Sequence, residues 1–433
     1  MSSMFKDCKK LKKIRFSSSF NTKDVTNMNG IFYNCEALEE IYLSSFNTGK
    51  VTDMTCMFSG CKTLKSIDLS KFVTSEVKNM SGMFQSCENI GSLDLSSFKT
   101  ENVENMSHMF SYCIKLENIF FKFNTKNVTN MQQMFYGCEK IKYLDLSLFK
   151  TEKVIDMKLM FSGSKNLERI DYKLGFNTSN VRNMNGIFSN CEALKEIYLS
   201  SFNTEKVTDM AAMFSGCKTL KSIDLSSFNT EKVIDMTGMF SGCKTLESID
   251  LSKFVTSEVI NMPAMFQFCE NLGSLDLSSF NTEKVENMSH MFHACKQLEK
   301  ITFSSFSLFN TKKVTNMQKM FCDCEKLKEI NLSSFNTENV TDMKFMFANC
   351  KNLNSIDLSS FKINKEIISF RDSHLGFLKM VFDNCTNMSF IFEGCEKLTN
   401  LRFNQGTLKF LEEDSKLKDI FPKNVKREIN YNV

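Results

Sequence analysis

Phe72-Val73-Thr74-Ser75-Glu76-Val77-Lys78-Asn79-Met80-Ser81-Gly82-Met83-Phe84-Gln85-Ser86-Cys87, then Ile90-Gly91-Ser92-Leu93-Asp94-Leu95-Ser96-Ser97 and a new Phe98, is one line of a text that this chain repeats. The valine of Val77 recurs at Val25, Val51, Val103, Val128, Val154, Val181, Val207, Val233, Val259, Val285, Val314 and Val340. The steps are 26 residues, with single slips to 25, 27 and 29. A fixed period of this length indicates a solenoid whose units bury their apolar sides only against one another. Function is then expected on a long surface rather than in a closed pocket.

Each unit divides into two patterns. In Ser66-Ile67-Asp68-Leu69-Ser70 apolar and polar residues alternate, the period of a half-buried strand. In Met80-Ser81-Gly82-Met83-Phe84-Gln85-Ser86-Cys87 the apolar residues fall at i, i+3, i+4 and i+7, which predicts one face of a two-turn helix. The Asn or Asp before the first Met (Asn27, Asp53, Asn79 and their equivalents) reads as its N-cap. Gly60, Gly137, Gly216 and Gly242, or Asn34, Asn190 and Asn349, stand where that helix would end. Phe-Asn-Thr, as in Phe202-Asn203-Thr204, reads as the return turn, with Asn and Thr bonding local backbone.

The phrases Val207-Thr208-Asp209-Met210, Met213-Phe214-Ser215-Gly216-Cys217 and Ile223-Asp224-Leu225-Ser226 resemble the BspA-like leucine-rich-repeat surface proteins. The nearer resemblance is to the branch with 25- to 26-residue units first noted in Mycoplasma lipoproteins, and it spans about residues 4–400. It implies a right-handed leucine-rich-repeat-like solenoid, strand-rich with short helical turns. It also implies association with cell surfaces, attachment to host or matrix proteins, and no catalytic residues. A protein or glycan is the ligand class expected, and cell surface or extracellular the compartment, with a cytoplasmic scaffold or a structural spacer as alternatives.

Composition agrees with an array. Apolar residues make up 42% and charged residues 24%, enough for a continuous core inside a solvated exterior. The net charge of +4 is spread without a basic block, which argues against nucleic acid as a partner. No apolar run is long enough for a transmembrane helix. The opening Met1-Ser2-Ser3-Met4-Phe5-Lys6-Asp7-Cys8 lacks a signal peptide's apolar stretch and reads as the middle of a repeat, so a truncated start is expected. Residues 1–360 are assigned to the solenoid. After Phe361 the pattern decays, and 361–433 is assigned to degenerate repeats and a C-terminal cap. Segments recur at higher order, Lys71–Val77 reappearing as Lys253–Val259, which suits a binding surface or spacer better than a unique active site.

Candidate chemistry is sparse. One cysteine per unit (Cys35, Cys61, Cys87 and equivalents) falls on the apolar side, Ser164 replaces it once, and the total of 17 is odd, so buried free thiols are expected. Cys56 and Cys322 lie off that column and are expected to be exposed and to react first. Cys322-Asp323-Cys324 is no paired CxxC motif, so no metal or other cofactor is read from the sequence. The four histidines belong to no Ser/His/Asp set or HExxH motif, and no enzyme is indicated.

The candidate binding residues are those at the strand centre, which point off the core: Tyr42, Asp68, Asp94, Phe120, Asp145, Asp171, Tyr198, Asp224, Asp250 and Asp276. Two carboxylates one strand apart repel by about 0.9 kcal/mol in water, and Asp is a poor strand former. Stacking Asp224, Asp250 and Asp276 therefore calls for a reason. A basic segment, sugar or cation as ligand is one; hydrated charges that keep an open sheet from aggregating are the other.

Overall fold

The computed structural model describes residues 1–172, 176–303, 308–362, 388 and 390–404, and the backbone of one further strand at Lys426–Asn430. The chain forms two compact units, Met1–Phe228 and Asn229–Val433, each a stack of β-solenoid rungs. Much of the span assigned to the cap, 363–387 and most of 405–433, lies outside the described residues.

In the first unit the strands are β1 (Lys13–Arg15), β2 (Glu40–Tyr42), β3 (Ser92–Leu95), β4 (Asn118–Phe121), β5 (Tyr143–Asp145) and β6 (Arg169–Asp171). They pair in parallel as β1–β2, β3–β4 and β5–β6, with equivalent residues of successive repeats in register. The second unit holds β7 (Ser274–Leu277), β8 (Lys300–Phe303), β9 (Ser355–Leu358), β10 (Asn400–Asn404) and β11 (Lys426–Asn430). Here β7 pairs with β8, and β10 lies between β9 and β11, again all parallel.

The described residues contain no helix, which corrects one expectation. Met80–Cys87 is instead two consecutive four-residue turns. Met83 N–H bonds Met80 C=O at 3.2 Å and Cys87 N–H bonds Phe84 C=O at 3.1 Å. The third residue of each turn is left-handed, Gly82 at φ 60° and Ser86 at φ 57°, the geometry of a type II turn. The corners of two such turns fall at i, i+3, i+4 and i+7, the same spacing as a helical stripe. An α-helix cannot hold two left-handed residues. It would also forgo the bonds between rungs: Met80, Gly82, Phe84 and Ser86 donate to carbonyls of Asn105, Ser107, Met109 and Ser111 at 3.0, 2.8, 2.9 and 2.7 Å. Alternate N–H groups thus close the turn or reach the next rung, and the backbone is satisfied without a helix.

The presumed N-cap does a related job. Asn79 Oδ1 accepts from Ser81 N–H at 3.0 Å and Asp53 Oδ1 from Thr55 N–H at 2.9 Å, so the Asx column caps a turn. The residue before cysteine must be left-handed, and Gly60 shows why glycine is used there. At φ 77° it also sits so close to the rung below that a Cβ would lie 2.4 Å from Asn34 Oδ1.

Inside, like residues stack on like. In the first unit Phe32, Phe58, Phe84, Phe110, Phe135, Phe161 and Phe188 form a file with centroids 5.4–6.0 Å apart and planes within 20°. Phe240, Phe266, Phe292, Phe321 and Phe347 do the same in the second. The valine and the two methionines are fully buried beside them in most rungs, as Val77, Met80 and Met83 illustrate, with Ile31 and Ile187 in place of the second methionine in two rungs. Two polar ladders run through this apolar wall. The buried threonine of the return turn bonds the next rung, not its own as expected from sequence: Thr74 Oγ1 donates to Lys99 C=O at 2.9 Å and accepts Lys99 N–H at 2.8 Å. The cysteine thiol donates to the phenylalanine carbonyl of the preceding rung, Cys87 to Phe58 at 3.2 Å and Cys113 to Phe84 at 3.1 Å. Ser164 replaces cysteine without loss because its hydroxyl makes the same bond, to Phe135 C=O at 2.9 Å.

Candidate interaction surface

The alternation read from sequence sets the exposed face. In β3, Ser92 and Asp94 are exposed while Leu93 and Leu95 are buried. All ten candidate residues leave the core, with Tyr42, Phe120 and Tyr198 exposed by 41%, 56% and 62%. Asp68, Asp224 and Asp250 do so on backbone outside a named strand.

Most of the aspartates have a local task. One carboxylate oxygen accepts the N–H two residues on: Asp68 from Ser70, Asp145 from Ser147, Asp224 from Ser226, Asp250 from Ser252 and Asp276 from Ser278, each at 2.9 Å. Asp94 accepts both the hydroxyl (2.6 Å) and the N–H (3.0 Å) of Ser96, which hold its carboxyl below the usual range. The aspartate thus starts the Leu-Ser-Ser-Phe turn that leaves the strand, a third reason for its presence beside those weighed from sequence.

In register, β1–β2 sets Arg15 beside Tyr42, with the guanidinium 4.1 Å from the ring centroid. β3–β4 sets Asp94 beside Phe120, and β5–β6 sets Asp145 beside Asp171. The last pair of carboxylates is relieved within the sheet. Arg169 clamps Asp171 through Nε at 2.6 Å and Nη2 at 3.0 Å, and Tyr143 donates its hydroxyl at 2.9 Å. Burial raises the Asp171 carboxyl, but these bonds outweigh it and leave the group below its usual range. In the second unit Asp276 stands beside Thr302, and Asp357 beside Arg402.

In the first unit the face is dented by a groove of about 980 Å³ lined by Asp94, Phe120, Lys122, Tyr143, Asp145 and Leu148 among others. The step from Val103 to Val128 explains it: this rung is one residue short. Its neighbours leave the strand through a closed turn, Phe98 N–H bonding Leu95 C=O at 3.0 Å and Phe149 N–H bonding Leu146 C=O at 2.9 Å. Phe121-Lys122-Phe123 has no room for that turn, and the two rings meet at 4.8 Å instead. The rim drops between two higher rungs. Phe120, Tyr143 and Leu148, exposed by 56%, 49% and 56%, provide apolar surface amid Lys and Asp. Sequence reading found Asp94, Phe120 and Asp145 but missed Tyr143, Leu148 and Lys122; the 25-residue step was the available signal.

The off-column thiols differ from expectation. Cys56 is partly exposed, whereas Cys322 is buried at 6% exposure. No helix among the described residues is long and apolar enough to cross a membrane.

The family described as "Mycoplasma protein of unknown function, DUF285" matches residues 1–111, 86–197, 170–273, 221–306 and 296–400. No functionally curated protein matches the chain. Among solved structures it is similar to a leucine-rich repeat protein of Bacteroides ovatus, at 17% identity over 99% of this chain and 86% of the other, TM-score 0.49. A leucine rich cell surface protein of Faecalibacterium prausnitzii is 18% identical over 93% and 80%, TM-score 0.33. A leucine-rich repeat protein of Eubacterium ventriosum is 13% identical over 81% and 84%, TM-score 0.35.

Proposed function

This chain belongs to the DUF285 family of Mycoplasma repeat proteins, and from that premise we propose that it is a non-enzymatic protein-interaction module of adhesive type, displayed at a cell surface. Its ligand is a protein held on the strand face of the first unit. The observation that carries this reading is the groove around Phe120. Three exposed apolar side chains line it together, flanked by Asp94, Asp145 and Lys122. Exposed aromatics amid charge are the composition of interface anchors. The site offers a protein surface an apolar seat and both signs of charge around it.

The test is binding of the full chain to immobilised extracellular-matrix proteins and to intact host cells, beside a Phe120→Ser/Tyr143→Ser variant of unchanged thermal stability. A tenfold or greater loss of binding in the variant supports the reading. Equal binding by both proteins removes the groove from it, and no binding by either removes adhesion.

A further inference from the structure

In the second unit one patch of the turn wall carries donors that its equivalents elsewhere lack. In several rungs the two middle residues of the four-residue turn before the cysteine are small, such as Ser241-Gly242. In two successive rungs they are His293-Ala294 and Cys322-Asp323. Stacking sets His293 under Cys322 and the methyl of Ala294 under Asp323, as the Ala294 N–H bond to Cys322 C=O at 2.8 Å records. With nothing larger than that methyl in the way, the imidazole leans across to the carboxylate. His293 Nε2 lies 3.2 Å and Cys322 Sγ 3.5 Å from Asp323 Oδ2. The three donor atoms all fall within 4.8 Å of one another, the one such group of three among the described residues.

We propose that His293, Cys322 and Asp323 form a binding site for zinc or a cation of similar softness. Imidazole nitrogen, thiolate and carboxylate are zinc's three protein donors. Bond lengths of about 2.0–2.3 Å in tetrahedral geometry place donor atoms roughly 3.3–3.5 Å apart, close to the two separations to Asp323. The outer contacts are also in place. Asn349 Nδ2 donates to Asp323 Oδ1 at 2.8 Å, fixing the carboxylate with Oδ2 forward. Gln267 lies on the far side of the imidazole, its Nε2 3.1 Å from Nδ1. Such partners orient metal-bound histidines and carboxylates. Asp323, the most exposed of the three, leaves the fourth position towards solvent for water.

Binding requires one proton to leave. The ligand form of the side chain is the thiolate, so the metal displaces the Cys322 thiol proton to form the sulfur–metal bond. The ring proton moves from Nε2 to Nδ1, where the Gln267 amide, turned end for end, accepts it through Oε1. One proton is released per metal bound. No electron is transferred.

The experiment uses the full chain, reduced and stripped of metal, titrated with Co²⁺ as a spectroscopic probe and then with Zn²⁺. Expected is one Co²⁺ per native chain, with the visible bands of a tetrahedral ion and a thiolate-to-cobalt charge-transfer band, both bleached by one equivalent of Zn²⁺. Cys322→Ser removes the charge-transfer band, and His293→Gln lowers affinity at least tenfold. Gln267→Leu, a positioning change, lowers it by about 10–100-fold, while Cys56→Ser alters nothing. The proposal is overturned if the wild-type chain gives no charge-transfer band. A band that persists in both Cys322→Ser and His293→Gln overturns it equally, since the metal would then sit elsewhere.

Discussion

The turn wall and the strand face of the same rungs are built on opposite principles. On the turn wall nearly every rung has the same valine, methionines, phenylalanine, cysteine and threonine, all buried, each touching its own kind above and below. On the strand face the central residue changes from Arg15 to Tyr42, Asp68, Asp94, Phe120 and Asp145, and its side chain stands in solvent. The difference separates what makes the solenoid from what it presents. A stacked side chain must fit two neighbours at once, so a change is felt on both sides. A strand-face residue has only to leave the core and, where it is Asp, to start a turn.

The largest effect should come from breaking the aromatic file. Phe84 is wholly buried between Phe58 and Phe110, at 5.7 and 6.0 Å. Phe84→Ala is expected to cost about 3–5 kcal/mol in urea unfolding, whereas Phe120→Ala on the strand face stays within about 0.5 kcal/mol. Equal costs would erase the distinction between the walls. Next in size is Thr74→Val, which keeps the shape and deletes the hydroxyl that serves both Lys99 N–H and C=O. A loss of about 1–3 kcal/mol is expected, and no loss would show that water replaces the ladder.

The thiols give a smaller, pH-dependent effect. Burial raises Cys113 from 9.0 to about 12. Below pH 9 the thiol is neutral in folded and unfolded chains alike, and its full contribution is present. Above pH 9 the unfolded thiol ionises and the folded one does not, so stability is lost as pH climbs towards 12. At pH 10 Cys113 alone accounts for about 1.4 kcal/mol. Cys113→Ser keeps a donor for Phe84 C=O and does not ionise. Its urea midpoint should fall less between pH 7.5 and pH 10 than that of the unaltered chain; parallel falls would mean that the thiols do not govern the alkaline limit.

Which parts were legible follows from the same division. The period, the strand alternation, the buried columns and the outward placement of the candidate residues, all exposed but the half-buried Asp171, follow from residue type and spacing. The turns were misread because i, i+3, i+4, i+7 describes a helical stripe and the corners of paired type II turns equally well. Glycine at Gly30, Gly82, Gly186 and Gly238 hinted at left-handed backbone, but His108, Leu159 and Phe345 take the same conformation elsewhere and hide the rule. Contacts between rungs were the least legible. The Phe120 groove depends on a missing residue, and the closeness of His293 to Asp323 depends on which side chain lies above which.

The smallest expected change is the sharpest test of the strand face, because it divides the two roles of its aspartates. Asp94→Asn keeps an oxygen for the Ser96 hydroxyl and N–H while removing the charge that those bonds favour, so the urea midpoint should fall only slightly. Asp94→Ala removes the acceptor as well and should lower it further. If the carboxylates serve only the turn, Asp94→Asn binds partners as the unaltered chain does. If the groove uses their charge, the Asn variant loses affinity at nearly constant stability, and that loss shrinks as salt rises and screens the interaction. A fall in Asp94→Asn as large as that in Asp94→Ala would refute the division itself, since charge would then be holding the rung together on the face where only presentation is expected.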